Sequence, residues 1–474
     1  MQQFERRMNH DDSAFAMALA ASEGKMRTAG ATAHCIEAFI NAMQGLRKTG
    51  AGFIPESTIA PVSELPRLEQ LPVADDARLL ERLAIIKLNG GLGTKMGLDF
   101  AKSLIRVKGH HNFLDFIARQ VLWLRERYHS KGPAFLLMDS FRTQQATLDY
   151  LARYSELCMA GFPLDFLQSK VPKLDLQTLQ PVSCPADPAL EWCPPGHGDI
   201  YPSLADSGLL DKLLAQDLEF AFVSNSDNLA ATVYLPLLSY FAGSGLAFLM
   251  EVAERTEMDR KGGHLARRVS DGRLVLREVA QCPAEDMSHF ESERHHFFNT
   301  NNLWINLPEL RRNLYHFALP IIKNAKPVNP QDPSSQRVLQ LETAMGAAIQ
   351  CFDRSGAIVV PRSRFSPVKD TADLLALRSD AYEVTDDVRL ELAGGRAGLP
   401  PVVRLDSSHY SQLADFEKWF AEGAPSLIAC EEISIEGPWK FLANVVCEGR
   451  VKFVNRSADP RTVSAGRFRN QSVT

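Results

Sequence analysis

The stretch KLNGGLGTKMGLDFAKS, Lys87 to Ser103, follows the apolar run Leu83–Ile86, whose length suits a buried strand. Gly90, Gly91, Gly93 and Gly97 then fall within eight residues. So many glycines cannot continue a strand or a helix without a large cost in backbone entropy. They can bring bare backbone N–H groups close to a ligand, where a side chain would collide. Lys95 and Lys102 stand in and just beyond the loop. Backbone donors together with cations suit a nucleoside triphosphate. The spacing is neither GxxxxGK[ST] nor GxGxxG. The competing reading is a tight strand-to-helix turn without a ligand, and the two lysines weigh against it.

Outward from this loop, apolar runs alternate with helical spacing. A helix is expected over Phe113–Tyr128, a strand over Ala134–Met138, a helix over Thr143–Tyr154, and a strand over Phe162–Leu167. A helix near Leu209–Ala215 and a strand at Phe220–Val223 follow. This order predicts an α/β fold with a mostly parallel sheet covered by helices on both faces. Ligands then belong at the carboxyl ends of the strands. Upstream, Ser13–Arg47 carries apolar residues at helical spacing, and Pro55, Pro61 and Pro66 mark an extended connector. Downstream, Asp271-Gly272 signals a hairpin, and Arg337–Phe352 reads as a helix. After about Leu399, β-prone pieces at Leu427–Ile435, Val445–Cys447 and Val451–Asn455 suggest a small separate β domain, in form a short β-helix. The expected division is residues 1–75 as helical segment and connector, 76–398 as the main domain, and 399–474 as the β domain.

A chain of 474 residues exceeds one ordinary core. Its net charge of −5 argues against non-specific binding to nucleic acid or anionic membranes. Eight scattered cysteines, with no CxxC pair, read as reduced thiols rather than a zinc site. The start, MQQFERRMNHDD, lacks the apolar core of a signal peptide, and no apolar run reaches membrane-spanning length. A cytoplasmic protein is expected.

Four further stretches carry chemistry. EWCPPGHGDIY, Glu191 to Tyr201, puts His197 between two glycines on approachable backbone; a structural histidine is the alternative. VSNSDNLAATV, Val223 to Val233, puts Asn225, Asp227 and Asn228 after a buried strand. A carboxylate there can hold Mg²⁺ or cap the next element. FFNTNNLWINL, Phe297 to Leu307, offers Asn299, Asn301 and Asn302, whose amides can serve sugar hydroxyls or fill turns. PRSRFSPVKDT, Pro361 to Thr371, carries Arg362, Arg364 and Lys369, either a phosphate clamp or a solvated basic loop.

Together, KLNGGLGT with KSL, PPGHGDIY, the SNxDNLxATV pattern, FNTNNLW, QLETAMGAAI and VPRSRFSPVK resemble the eukaryotic-type UTP–glucose-1-phosphate uridylyltransferases, in family order over Leu83 to Leu375. The resemblance implies a Rossmann-like nucleotidyltransferase core with a C-terminal left-handed β-helix. It implies that Leu88, Asn89, Gly90 and Gly91 hold the nucleotide, with Gln168 and Gly196 near the uracil and Lys102 at the phosphates. His197 and Asn225 would touch the sugar phosphate, Asp227 would hold Mg²⁺, and Lys369 would neutralise the α-phosphate. Gly263, Glu278 and Asn301 would line the sugar pocket. The substrates implied are UTP and glucose 1-phosphate. Their attacking phosphate oxygen is already anionic, so no general base is required. Other sugar 1-phosphates, or a regulator that binds without turnover, are the alternatives; sugar choice would rest on Asn299–Asn302 and Lys261–His264. Two departures stand out. Lys95 replaces a small residue and matches instead the cation of GxGTRM-type signatures, where it would meet the leaving pyrophosphate. The end, FRNQSVT, falls short of the family's final β-helix strand, which leaves oligomeric state open.

Overall fold

Leu83–Asn89 is the central strand, buried on both faces apart from Leu88, as a parallel strand between two helical layers must be. The computed structural model describes residues 12–47, 52–73, 75–256, 262–292, 294–314, 317–396 and 399–474. The first eleven residues and Lys261 therefore lie outside the described residues.

Ten strands form the main sheet: β1 (Ile59–Pro61), β2 (Leu83–Asn89), β3 (Ala134–Asp139), β4 (Asp165–Leu167), β5 (Phe220–Asn225), β6 (Phe248–Glu254), β7 (His264–Arg268), β8 (Leu274–Arg277), β9 (Phe297–Asn306) and β10 (Ser355–Val359). Their order is β1-β7-β9-β5-β2-β3-β4, with β6 beside β9 and β10, and β8 beside β7. Strands β5, β2, β3 and β4 run parallel, as do β6 and β10. Strand β9 enters antiparallel to both β5 and β6. The parallel centre is what the strand–helix alternation predicts, and β1, β7, β8 and β9 add antiparallel pairs that make the sheet mixed.

Alternate residues along these strands feed two apolar layers, since successive side chains point to opposite faces. Leu83, Ile85, Phe135, Leu137, Phe220 and Phe222 join one cluster. Ala84, Ile86, Leu136, Met138, Ala221 and Val223 join the other. The helix Phe113–Arg127 covers the first face. It opens with a reciprocal capping box between Asn112 and Asp115 and ends on Arg125 and Arg127, which suits the helix dipole at both ends. The expected amino-terminal helices are Asp12–Thr28 and Ala33–Gly45. Among the described residues, no helix is long and apolar enough to cross a membrane.

The expected hairpin is present: β7 and β8 pair antiparallel around Asp271-Gly272. One expected helix is absent. Arg337–Thr343 is a strand paired with Ile321–Pro327, and only Met345–Gln350 coils, as a 3₁₀ turn. Pairing with a neighbouring strand overrides the helical spacing there, and Gly346 starts a tight turn rather than continuing a helix. Strand β4 is shorter than expected, because Pro163 supplies no N–H to a ladder. Two expected β pieces are one strand, Val445–Val454, with a register slip around Gly449.

Beyond residue 399, Val402–Leu405, Cys430–Glu436, Val445–Val454 and Gly466–Val473 form a parallel four-stranded sheet, and Trp439–Phe441 pairs parallel with Arg461–Val463. Phe420, Phe441, Phe453 and Phe468 form a chain of ring contacts through this part, with centroids 5.0–5.3 Å apart. The apolar cluster on the first face of the main sheet continues without a break into it. Removing the wholly buried Phe441 ring (Phe441→Ala) is expected to cost about 3–5 kcal/mol, read as a lower midpoint in urea unfolding.

Candidate active site

Parallel register decides where the motifs emerge. Asn225 lies beside Leu88, Asn89 beside Asp139, and Asp139 beside Leu167, so the loops after β2, β3, β4 and β5 all open at one edge. There the expected site residues form a closed ring of contacts. The backbone N–H of Lys102 donates to Gly91 O at 3.1 Å. Its Nζ reaches Asp227 Oδ2 at 2.5 Å, although the two lie on different loops. The next link comes from the basic loop: Val368 N donates to Asp227 O at 3.2 Å, which brings the neighbouring Lys369 to the same place. Ser366 N then donates to Asn228 Oδ1 at 3.0 Å. Asn228 Nδ2 reaches Asn302 Oδ1 at 3.5 Å.

The other half of the ring runs through strand β9. Asn299 N donates to Gly263 O at 3.0 Å, and a Cβ on Gly263 would collide with the Glu278 carboxyl at 2.5 Å. Asn301 sits in the left-handed region at φ 59°, with its Oδ1 accepting from Asn299 Nδ2 at 2.8 Å. A Cβ on Gly346 would press on Asn299 Nδ2 at 2.9 Å, which explains the glycine of QLETAMGAAI. Met345 N donates to His197 Nδ1 at 3.0 Å. Two residues on, Asp199 Oδ2 accepts from Ser169 N at 2.6 Å. Beside it, Gln168 packs on Gly90 so closely that a Cβ there would lie 2.3 Å from Gln168 Nε2. Gly196 has φ 85° and no room for a side chain against Thr343 O. The ring closes at the glycine loop.

Several residues hold states that follow from this packing. His197 Nδ1 accepts a backbone N–H, so the neutral ring carries its proton on Nε2. Burial holds the imidazole below its usual range, and the Glu342 charge only partly offsets this. Burial likewise pushes the Glu278 carboxyl up to about 7. Asp227 Oδ1 is buried and, among the described residues, meets no hydrogen-bond partner. An orphan carboxylate oxygen beside a lysine fits a hard cation that takes its other oxygens from a ligand. Among the described residues, no group of three or more His, Cys, Asp or Glu could hold a metal without such help.

Some expected residues serve the frame. Asn89 is 2% exposed; its side chain donates to Asp139 Oδ1 and Thr147 Oγ1 and accepts from Ser226 Oγ, so it faces the frame. Asn228 and Asn302 are buried knots between loops. Arg364 is no phosphate clamp: it forks onto Glu251 at 2.8 and 2.9 Å in the interior. Arg362 packs over the rings of Phe298 and Phe365. Lys369 is exposed and stands 5.9 Å from the Phe365 ring centre. Lys95 is exposed on the turn Thr94–Met96. Leu88 lends its carbonyl to Ser226 N, and Asn225 ends β5 at the ring.

Sequence reasoning missed three buried charges. Lys87 is 2% exposed, bonds Ser224 Oγ and Ala231 O, and is lowered to about 7 by burial and by Arg364. Glu251 stands in the apolar strand FLMEVAE. Arg277 pairs with Glu56 and Asp286 and so fixes the end of β8, just before Glu278. A charge inside an apolar run was the available signal. At pH 7, ¹⁵N-resolved NMR of His197 is expected to show the Nε2–H tautomer, with a titration midpoint below about 6.5. Because the folded state resists the proton, this histidine should withdraw stability as pH falls below its unfolded pKa.

Comparison with known proteins places the chain. Residues 36–448 match the family model described as UTP–glucose-1-phosphate uridylyltransferase. A curated protein of that name from Encephalitozoon cuniculi is 41% identical over 84% of this chain and 77% of its own length. One from Solanum tuberosum is 39% identical over 85% and 82%. A crystal structure of UDP-glucose phosphorylase from Trypanosoma brucei superposes with TM-score 0.90 at 45% identity, covering 96% of this chain and 99% of that one. A mutant UDP-glucose pyrophosphorylase from Leishmania major, in complex with UDP-glucose, does so with TM-score 0.90 at 44% identity over 96% and 98%. The chain belongs to the UTP–glucose-1-phosphate uridylyltransferase family.

Proposed function

We propose that this chain transfers a uridylyl group from UTP to glucose 1-phosphate, giving UDP-glucose and pyrophosphate. The observation that carries the reading is the contact ring, in which Lys102, Asp227 and the base of Lys369 converge from three loops at the carboxyl edge of a parallel sheet. A phosphate oxygen of the sugar attacks the α-phosphorus, and the bond to the β-phosphate oxygen breaks as pyrophosphate leaves. With an anionic nucleophile, the protein's task is to align two polyanions and stabilise the charge of the transition state.

We assign the roles from the family resemblance, supported by position. Backbone at Leu88, Asn89, Gly90 and Gly91 lines the nucleotide side, and Gln168, held against Gly90, stands with Gly196 to meet the uracil. Lys102 contacts phosphate oxygens and Lys369 the α-phosphate. His197 offers its Nε2–H to the sugar phosphate, near Asn225. Gly263, Glu278 and Asn301 line the sugar pocket, where a protonated Glu278 could donate to a hydroxyl. Asp227 would hold Mg²⁺ through the orphan oxygen; when bound, the ion neutralises charge on the reacting phosphates. Lys95, exposed on its turn, would meet the leaving pyrophosphate.

We also read residues 76–398 as the catalytic domain after an amino-terminal segment of 1–75, in a cytoplasmic enzyme. Residues 399–474 we read as a short β-helix, on the strength of their stacked parallel strands. An experimental structure with antiparallel strands there would refute that part.

Turnover should fall about a hundredfold in Lys102→Ala and in Lys369→Ala, the loss of about 3 kcal/mol typical of a donor aimed at the transition state; a loss below threefold would remove the assignment. Lys95→Ser should weaken pyrophosphate binding in the reverse reaction and leave uracil recognition alone. The test of the function itself is pyrophosphate release from UTP with a panel of sugar 1-phosphates. Glucose 1-phosphate should lead the panel, and chelation of Mg²⁺ should abolish release. Comparable release with several sugars would widen the substrate class; binding of UTP without release from any would leave a regulator.

A further inference from the structure

Among the described residues, a buried lysine, Lys87, and two buried ionic clusters, Arg277 with Glu56 and Asp286 and Glu251 with Arg364, lie behind the ring. The last reaches both halves of the site. We propose that Glu251 is a positioning residue for uridylyl transfer, one carboxylate that sets the sugar side and the phosphate side against each other. The proposal rests on the function given above.

Glu251 is 0% exposed, and each of its oxygens accepts twice. Oε1 takes Trp304 Nε1 at 3.0 Å and Arg364 Nη2 at 2.8 Å. Oε2 takes Arg364 Nε at 2.9 Å and Asn302 Nδ2 at 3.1 Å. Its own carbonyl accepts from Thr300 Oγ1 at 2.7 Å.

Toward the sugar side, the β6–β9 register slips at this residue: Glu251 pairs with Asn302, and Val252 pairs with Asn299. Thr300 and Asn301 are the extra residues of that bulge, and a bulge re-aims the side chain it carries. Asn302 Nδ2 and Thr300 Oγ1, both bound to Glu251, hold its two flanks. Toward the phosphate side, Glu251 fixes Arg364, whose Nη2 donates to Thr232 O at 2.9 Å and whose carbonyl accepts from Asn228 Nδ2 at 3.2 Å. Those two bonds fasten the Lys369 loop to the Asp227 loop. An apolar pair of similar size commonly replaces a buried ion pair without loss of stability. Retaining the charge here therefore fits a demand of geometry, since methyl groups would leave Asn302, Trp304 and Thr232 without their directional partners.

The double variant Glu251→Leu/Arg364→Met is the main test, with Arg364→Lys as a second variant that keeps the charge but cannot fork. Each is measured as the full chain for kcat, for KM of UTP and of glucose 1-phosphate, and for UDP-glucose binding stoichiometry by calorimetry. The expected result is a kcat lower by about thirtyfold to a hundredfold, the order that a small misalignment of reactants costs. UTP KM should stay within about threefold, and UDP-glucose should still bind one per chain. A merely structural fault would lower the stoichiometry in step with kcat, and that result overturns the proposal. So does a folded variant with kcat within threefold of wild type. Wild-type turnover is the control: if it is absent with every sugar phosphate, the functional reading falls and the proposal with it.

Discussion

The parallel pairing of Leu83–Leu88 with Phe220–Asn225 is the constraint on which the rest depends. A parallel ladder cannot slip by one residue without turning each buried side chain to the opposite face, and both faces here are filled by separate apolar clusters. The register is therefore fixed by packing on two sides at once. Fixing it also fixes Gly90 and Asp227 at one edge, because each stands just beyond its strand. The site is thus placed first by hydrophobic burial on both faces of the sheet, and the contact ring trims what the sheet has already arranged.

Within the ring, charge is handled in two ways. At its open face, Lys102 and Asp227 neutralise each other across two loops, and both remain partly accessible to a ligand. Behind it, Glu251 and Arg364 are sealed from water, where removing either partner alone would leave an uncompensated charge at a cost of about 3–5 kcal/mol. The accessible pair can be rearranged by a bound polyanion. The sealed pair cannot, and so serves as the fixed reference.

Much of this was legible beforehand. The glycine loop, the parallel centre and the placing of Lys102 and Asp227 at the carboxyl ends of strands could be read from local composition and strand order, whereas Gln168 and the joining of His197 to that edge came from the family resemblance. What could not be read depends on partners distant in sequence. Arg337–Thr343 has helical spacing but becomes a strand because Ile321–Pro327 lies beside it. Arg364 looks like one more cation in a basic loop, and only the position of Glu251 shows that it faces inward. Asn228 and Asn302 have the composition of ligand contacts and the burial of rivets. Residue type announces polarity; whether that polarity is turned to a ligand or to the protein is decided by the tertiary fold.

Gly97 shows how far the glycine loop's surroundings extend. It has φ 71°, and a Cβ there would lie 1.9 Å from Gln412 Oε1, so the C-terminal segment forms one wall of the loop. That wall is pinned in turn, since Tyr410 O accepts from Thr371 Oγ1 at 2.7 Å just beyond the Lys369 loop. The nucleotide loop and the C-terminal segment consequently share one volume. A side chain at Gly97 would both strain a left-handed backbone and displace Gln412, so a change confined to the nucleotide loop would be felt first in the C-terminal segment.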